Sequence, residues 1–546
     1  MKPFSELKLG FADASNYRRK ENKSLFQKFF VLNDGVEKLL NPSIYFLIGG
    51  KGTGKTAYST FLSNSEYKNT ASRTIFIDET EYTKFIALKN SKNLELSDYP
   101  SIWKVILLLL ISQQLKDGES SFTAMRNYNK FEQLQKAIGS FYNNAFSPEI
   151  ISAFTIVEKS EIAAELFSKY LDMSTNVSGR EEYTTSSNGS FFQINLLTLE
   201  RQFKDTIGKL RLSKNHILFI DGIDIRPKSI PYDEYLSCVK GLAHAVWNLN
   251  NNFFGSIKDS SGRIKVVLLL RPDIYAELGL QNANNKIRDN SVLLDWQTTY
   301  PLYRKSSIFR IADKMLSEQQ DNQLLNYQLG DCWDYYFPFN SEDPNVKEES
   351  FIYFLRYSLY RPRDIITLMS IIQDVISCGG NKKVSIIKKS DFDEPTIKSR
   401  YSDYLLGEIH DYLSFYHSEE DYDVFLKFFE YLNGKTTFTY DEFIDAYIDF
   451  GKYIESNNRN VPPYLETSGD FLQFLYDMDI ICYITVHEDS TKQHHWSFRE
   501  RNYSNLRPKI QEGVTYMIHY GLQKSLNTGK RFVRKASIRK KSINNN

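Results

Sequence analysis

The stretch from Ser43 to Ser59, SIYFLIGGKGTGKTAYS, constrains the fold more than any other part of this 546-residue chain. The apolar run Ile44 to Ile48 reads as a short buried strand. Gly49, four residues, Gly54, Lys55 and Thr56 then fill the pattern G-x-x-x-x-G-K-[ST]. Gly50, Gly52 and Gly54 let the backbone curl until successive N–H groups converge on an anion. A helix starting near Lys55 points its positive end at the same place. Lys55 has the reach for β- and γ-phosphates, and the Thr56 hydroxyl is of the type that ligates Mg²⁺. Gly49, Gly50, Lys51, Gly52, Thr53, Gly54, Lys55, Thr56 and Ala57 are therefore the candidate nucleotide-binding residues, with ATP and Mg²⁺ as the expected cofactors. A glycine-rich turn before an ordinary helix has the same composition. The preceding strand and the helix-forming run after the loop supply the context that the motif needs.

NHILFIDGIDIRP (Asn215 to Pro227) carries the matching acid. Four apolar residues, Ile217 to Ile220, end at Asp221, which places a carboxylate at the carboxyl edge of a buried strand, where ligands of α/β sheets bind. Asp221 can act with Thr56 on the metal, as a Walker B aspartate does. Asp224 can orient or deprotonate the attacking water, or it is a turn-forming aspartate. In many ATPases the base directly follows the first acid, and here Gly222 stands there.

Strand-like runs recur at Thr74–Ile77, Ile217–Ile220, Lys265–Leu270 and Val292–Leu294, separated by helical or turn-rich sequence. That alternation predicts a parallel sheet covered on both faces. The chain is long for one core, and four units are expected. They are an α/β P-loop NTPase domain over 1–300 with a helical insertion at about 95–190, a helical lid over 301–400, a winged-helix-like domain over 401–526, and a basic disordered tail over 527–546. Val105 to Ile111 reads as a buried helix after Pro100, and Ser174 to Ser190 as a polar loop. LKLGFADAS (Leu7 to Ser15) is a candidate cover for a nucleotide base.

Hydrophobic residues make up 41% and charged residues 25%, the balance of a soluble globular protein, and the net charge of +1 gives no global field for nucleic acid. The four scattered cysteines have no metal-ligand spacing and fit a reducing cytoplasm. The N-terminus lacks an apolar targeting core, and no apolar run is long enough to cross a bilayer. A cytoplasmic protein without membrane contact is expected.

Two arginine positions complete the set. KVVLLL runs into Arg271, which can contact the γ-phosphate or close a salt bridge at a strand end. Arg361 and Arg363 flank Pro362 ahead of an amphipathic helix, a place from which Arg363 can report the γ-phosphate or simply decorate a helix start.

GGKGTGKT, a strand ending in D-G-I-D, a later strand ending in Arg, and R-P-R before a helix together resemble the AAA-like P-loop ATPases, nearest the STAND signalling branch. FLIGGKGTGKTA, LLLRPDIY, NNKIRDNSVLLDW and RPRDII are similar to a bacterial P-loop ATPase family labelled FunZ-like. The resemblance covers roughly residues 1–400. It implies ATP and Mg²⁺ binding, slow hydrolysis of ATP to ADP and phosphate, use as a conformational switch, and a place in bacterial signalling or anti-phage defence. In many STAND proteins an acid directly follows the D-G-h-D stretch. Ile225 stands there here, which points to slow turnover.

The C-terminal third reads as helices at Asp421–Leu432, Tyr440–Tyr447 and Asp470–Asp477, followed by a β-hairpin, the order of a winged helix. The third of these helices is acidic and apolar, so an intramolecular role or a protein contact, with a partner or a second copy, is favoured over insertion into DNA. The tail GKRFVRKASIRKKSINNN can bind nucleic acid or is a solvated end. Three functions are in competition: an ATP-driven switch, a non-hydrolysing nucleotide-binding scaffold for a separate effector, and a nucleic-acid-stimulated ATPase.

Overall fold

The computed structural model describes residues 1–77, 99–118, 197–320, 327–340, 348–378 and 384–529, apart from 198, 199, 202, 227, 229, 458 and 460. Most of the expected insertion at 95–190, the polar loop Ser174 to Ser190 and the basic tail from residue 530 lie outside the described residues.

The apolar runs form a five-stranded parallel sheet: β1 (Phe46–Ile48), β2 (Thr70–Phe76), β3 (Asn215–Asp221), β4 (Ile264–Leu270) and β5 (Ser291–Leu293), in the order β2-β3-β4-β1-β5. β2 begins four residues earlier than the apolar run Thr74–Ile77 predicts. Its first half is half-buried at the sheet edge, so it carries polar residues and shows no apolar signal. The chain leaves β1 toward β2 and leaves the adjacent β4 in the opposite direction, toward β5. Such a reversal opens a crevice beyond the carboxyl ends of the strands.

Side chains alternate between two apolar clusters, as the period of two in a strand requires. Leu47, Phe219, Val267 and Leu269 face one cluster, and Phe46, Leu218, Ile220, Val266 and Leu268 face the other. On the first side lie α1 (Lys20–Phe29) and α2 (Lys55–Asn64), which follows the glycine loop. On the second lie α3 (Tyr99–Gly118), wholly buried along Val105 to Ile111, and α4 (Tyr232–Asn248).

Past the sheet come α5 (Ser307–Ser317), α6 (Pro362–Cys378) and the long α7 (Pro395–Tyr416), which runs through residue 400 without a break. The chain continues as α8 (Glu419–Tyr431), β6 (Thr437–Thr439), α9 (Tyr440–Ser456), α10 (Ser468–Asp477), β7 (Ile481–Val486), β8 (Lys492–His495) and β9 (Thr515–Ile518). Capping boxes at Ser418/Asp421 and Thr439/Glu442 start α8 and α9. α9 extends more than two turns past the expected end at Tyr447, because Phe443, Ala446, Phe450 and Ile454 keep one buried stripe at steps of three and four. β9 has no counterpart in the sequence reading. It enters an antiparallel sheet of order β6-β9-β7-β8, pairing with strands that precede it by 30 and more residues. The apolar cluster on the α2 face continues through α5, α6 and α7 into α8–α10, so these elements share one core.

Candidate functional site

The loop between β1 and α2 forms the floor of the site. Gly52 and Gly54 take φ of +79° and +98°, which side-chain-bearing residues rarely adopt, and Gly54 caps α2. Thr53 closes the turn through its hydroxyl to the Gly50 carbonyl at 2.8 Å, and its own carbonyl accepts from Trp296 Nε1 at 2.8 Å. The Lys55 ammonium is buried over the loop and donates to the carbonyls of Gly49 (2.8 Å) and Gly50 (3.2 Å). Burial pushes its pKa below the usual lysine range, opposed by the carboxylates of Asp224 and Asp221.

Asp221 ends β3 and is 4% exposed. It meets the floor directly: Thr56 Oγ1 donates to Asp221 Oδ2 at 2.8 Å, across 165 residues of sequence. Its second oxygen accepts from the N–H of Gly222 at 2.9 Å. Burial and the neighbouring Asp224 charge push the Asp221 carboxyl above its ordinary range, against the pull of Thr56 and Lys55. Gly222 has φ +90°, and a Cβ there would lie 2.4 Å from the Ile77 carbonyl oxygen. No side chain, hence no second carboxylate, fits directly after Asp221. Asp224 sits in a turn closed by Ile225 N to Gly222 O at 3.2 Å, and it lines the same cavity as Asp221.

α7 forms a wall. Lys51 of the glycine loop donates to Asp411 at 2.5 Å and lies 3.4 Å from Glu408. Arg361 pairs with the fully buried Asp364, which also accepts from Tyr404, and donates to the Lys51 carbonyl at 3.1 Å. Arg363 lies 3.4 Å from Glu408 and donates Nε to the Ala12 carbonyl at 3.1 Å. Arg271, 4% exposed, forms a bidentate pair with Asp273 (3.1 and 2.6 Å) and donates to Tyr416. Tyr412, Phe415 and Tyr416 enclose its guanidinium. Burial works against the Arg271 charge, and Asp273 with the surrounding tyrosines more than offsets it. The ion pair is one of the two roles open to Arg271, and the residue also lines the large cavity between floor and wall. Arg226, from the loop after Asp221, donates to the Phe415 carbonyl at 2.6 Å.

Floor and wall enclose a cavity of about 610 Å³, within the range of small-molecule sites. Lys51, Lys55, Thr56, Asp221, Asp224 and Arg363 line it, as do Gly52, Gly54 and Ala57. Its apolar lining includes Phe11, Phe29, Phe30, Ile311, Met315 and Ile366, so the expected base cover at Leu7 to Ser15 contributes to the cavity. Gly49, Gly50 and Thr53 face a smaller cavity of about 150 Å³ on the other side of the loop.

Sequence reasoning missed α7 as a contributor. Tyr404, Glu408, Asp411, Tyr412, Phe415 and Tyr416 recur at helical spacing, and that polar-aromatic stripe beside the apolar one at Ile397, Tyr401, Leu405, Ile409 and Leu413 was the available signal. Comparison with known proteins adds no assignment: no family model matches the chain, and no curated protein matches it. Among the described residues no helix is long and apolar enough to cross a membrane.

Proposed function

We propose that this chain is a Mg²⁺-dependent P-loop ATPase that works as a conformational switch, with α7 as the element that responds to nucleotide. The Thr56–Asp221 contact beneath a left-handed glycine loop carries the reading. It brings a hydroxyl and a carboxylate, the hard oxygen donors that Mg²⁺ takes, to one point beside a buried lysine. Those residues fit the ion: Thr56 and Asp221 would hold it, Gly52 and Gly54 would present backbone N–H groups to phosphate, and Lys55 would leave its two carbonyls for the β- and γ-oxygens. The ion, when bound, neutralises charge that develops on the phosphates. Asp224 faces the cavity from a position suited to orienting water. The apolar lining receives the base.

Switching follows from the wall. Lys51 and Arg363 are held by Glu408 and Asp411, so a polyanion competes with α7 for the same cations. Only His417 and Ser418 separate α7 from α8, a short joint that passes any displacement to the C-terminal elements. The order α8-β6-α9-α10-β7-β8 is that of a winged helix following a helical lid. Gln473 on α10 bonds Pro508 and Ile510, so the next segment covers part of that helix and favours protein contacts over a DNA groove.

Binding with little turnover is the second reading, favoured by the absence of room for a carboxylate directly after Asp221. Phosphate release by wild type, Lys55→Ala and Asp221→Asn, with and without DNA, separates these. Release lost in both variants supports the ATPase. Tight calorimetric binding of ATP without release supports the scaffold, and release only with DNA supports a nucleic-acid-driven enzyme. Wild-type protein that binds neither ATP nor GTP overturns all three.

A further inference from the structure

Every carbonyl of the glycine loop from Gly49 to Thr53 is tied back to the protein. Lys55 holds those of Gly49 and Gly50, and Arg361 holds that of Lys51 at 3.1 Å. The Arg363 N–H holds that of Gly52 at 3.5 Å, and Trp296 Nε1 holds that of Thr53 at 2.8 Å. The N–H groups of Lys51, Gly52, Gly54, Lys55 and Thr56, by contrast, have no acceptor among the described residues. A loop with its acceptors tied and its donors free is a nest for an anion.

The tie made by Trp296 decides which way one peptide faces. A trans peptide is planar, and its C=O and N–H point in opposite directions. The Thr53 carbonyl and the Gly54 N–H belong to the same peptide, Thr53 borders the smaller cavity, and Gly54 borders the large one. Glycine at 54 permits the peptide either orientation, so local sequence does not fix it and a tertiary contact must. Turned over, the peptide would present its oxygen where an anion has to sit. Trp296 is well placed to prevent that. It lies just past β5, buried in the apolar cluster on the α2 face, where its Nε1 needs an acceptor. Leu294 N–H continues the ladder to the Ile48 carbonyl at 2.7 Å, and Gln297 Nε2 donates to the Arg501 carbonyl at 3.0 Å. The indole is therefore anchored on both sides, next to the strand that leads into the loop.

Resting on the nucleotide reading, we propose that Trp296 is a positioning residue of the phosphate site: by holding the Thr53 carbonyl it keeps the Gly54 N–H aimed at a bound phosphate. Trp296 borders both cavities, so direct contact with the nucleoside is the competing role that the experiment must separate.

The test is calorimetry of the full chain with Mg²⁺-ADP, for wild type, Trp296→Phe and a protein carrying β-(3-benzothienyl)alanine at position 296, an isostere with sulfur in place of the N–H. Both replacements are expected to weaken ADP about fivefold, the worth of one hydrogen bond. The Gly54 amide is followed by NMR in protein labelled with carbonyl-¹³C threonine and ¹⁵N-glycine. Only Thr53–Gly54 and Thr528–Gly529 then give a signal, and Gly529, bonded to Gly434, serves as the reference. The Gly54 signal is expected to move downfield with Mg²⁺-ADP in wild type and less than half as far with the isostere. Weakened ADP with a full Gly54 shift assigns Trp296 to the nucleoside and overturns the proposal, as does unchanged affinity. If Trp296→Phe fails to fold, the isostere alone decides. Wild type that ignores ADP and ATP instead removes the nucleotide reading on which the proposal depends.

Discussion

The floor of the cavity and its wall are built on opposite principles. The floor is one short segment, β1, the glycine loop and the start of α2, whose groups converge because they are consecutive in the chain. The wall is assembled from Phe11–Ala14, Arg271, Arg361–Arg363 and Glu408–Tyr416, groups as far apart as 400 residues. The floor offers donors to an anion. The wall already satisfies its cations with protein carboxylates, so a ligand must compete for them. Floor and wall are thus distinguishable by what their charges are doing.

That contrast can be broken at several points. The largest effect is expected at the buried Arg271–Asp273 pair of the wall. Asp273→Asn strips Arg271 of its bidentate partner, and a buried pair broken on one side loses about 3–5 kcal/mol of stability. Urea denaturation measures it, and a loss below about 1 kcal/mol would show that the tyrosines alone hold the guanidinium.

Next comes the joint between the start of α6 and the C-terminal sheet. His519 is buried, facing the Ser358 carbonyl through Nε2 and accepting from Gly521 N–H through Nδ1, and its pKa is lowered to about 4, chiefly by burial. The neutral ring suits this site, so the unfolded chain binds more protons between pH 4 and 6.5. Its contribution is complete above pH 6.5 and is lost as pH falls through about 4, an amount on the order of 3 kcal/mol. The charged groups acting on it are Arg361 and Asp364, which pair with each other at 2.8 Å. His519→Gln should flatten the stability profile over that window, and an unchanged slope assigns the pH dependence elsewhere.

On the floor, Lys55→Ala is expected to weaken Mg²⁺-ATP about 100-fold, roughly 2.7 kcal/mol. A change under threefold in calorimetry would detach this lysine from binding. The smallest effect has the opposite sign. The double variant Glu408→Gln/Asp411→Asn frees Lys51 and Arg363, and ATP is expected to bind about fivefold tighter, near 1 kcal/mol for partly exposed pairs. Weaker binding would mean that α7 supports the ligand rather than competing with it.

Legibility followed the same division. The strand, the glycine loop, Lys55 and Thr56 could be read because their chemistry depends on spacing within a few residues. Asp221 could be read because a carboxylate that ends an apolar run needs no partner to be located. Arg271 and Arg363 were found as arginines at informative positions, but their partners Asp273, Tyr416, Ala12 and Glu408 were not. On α7 the apolar stripe Ile397, Leu405, Ile409 and Leu413 marks only the core-facing side, and nothing in that period marks the mixed stripe turned toward the cavity. β9 escaped for a related reason: its pairing with β6 and β7 is entirely long-range.

By itself, the order of residues determined the α/β sheet, the parallel strands and the location of a glycine loop at their carboxyl edge, since backbone periodicity and glycine conformation act locally. Only the tertiary structure decided that Thr56 meets Asp221, that α7 holds Lys51, and that Trp296 holds the Thr53 carbonyl. Those outcomes depend on which distant side chains share a low-dielectric space, and distance in space is not a property of neighbours in sequence.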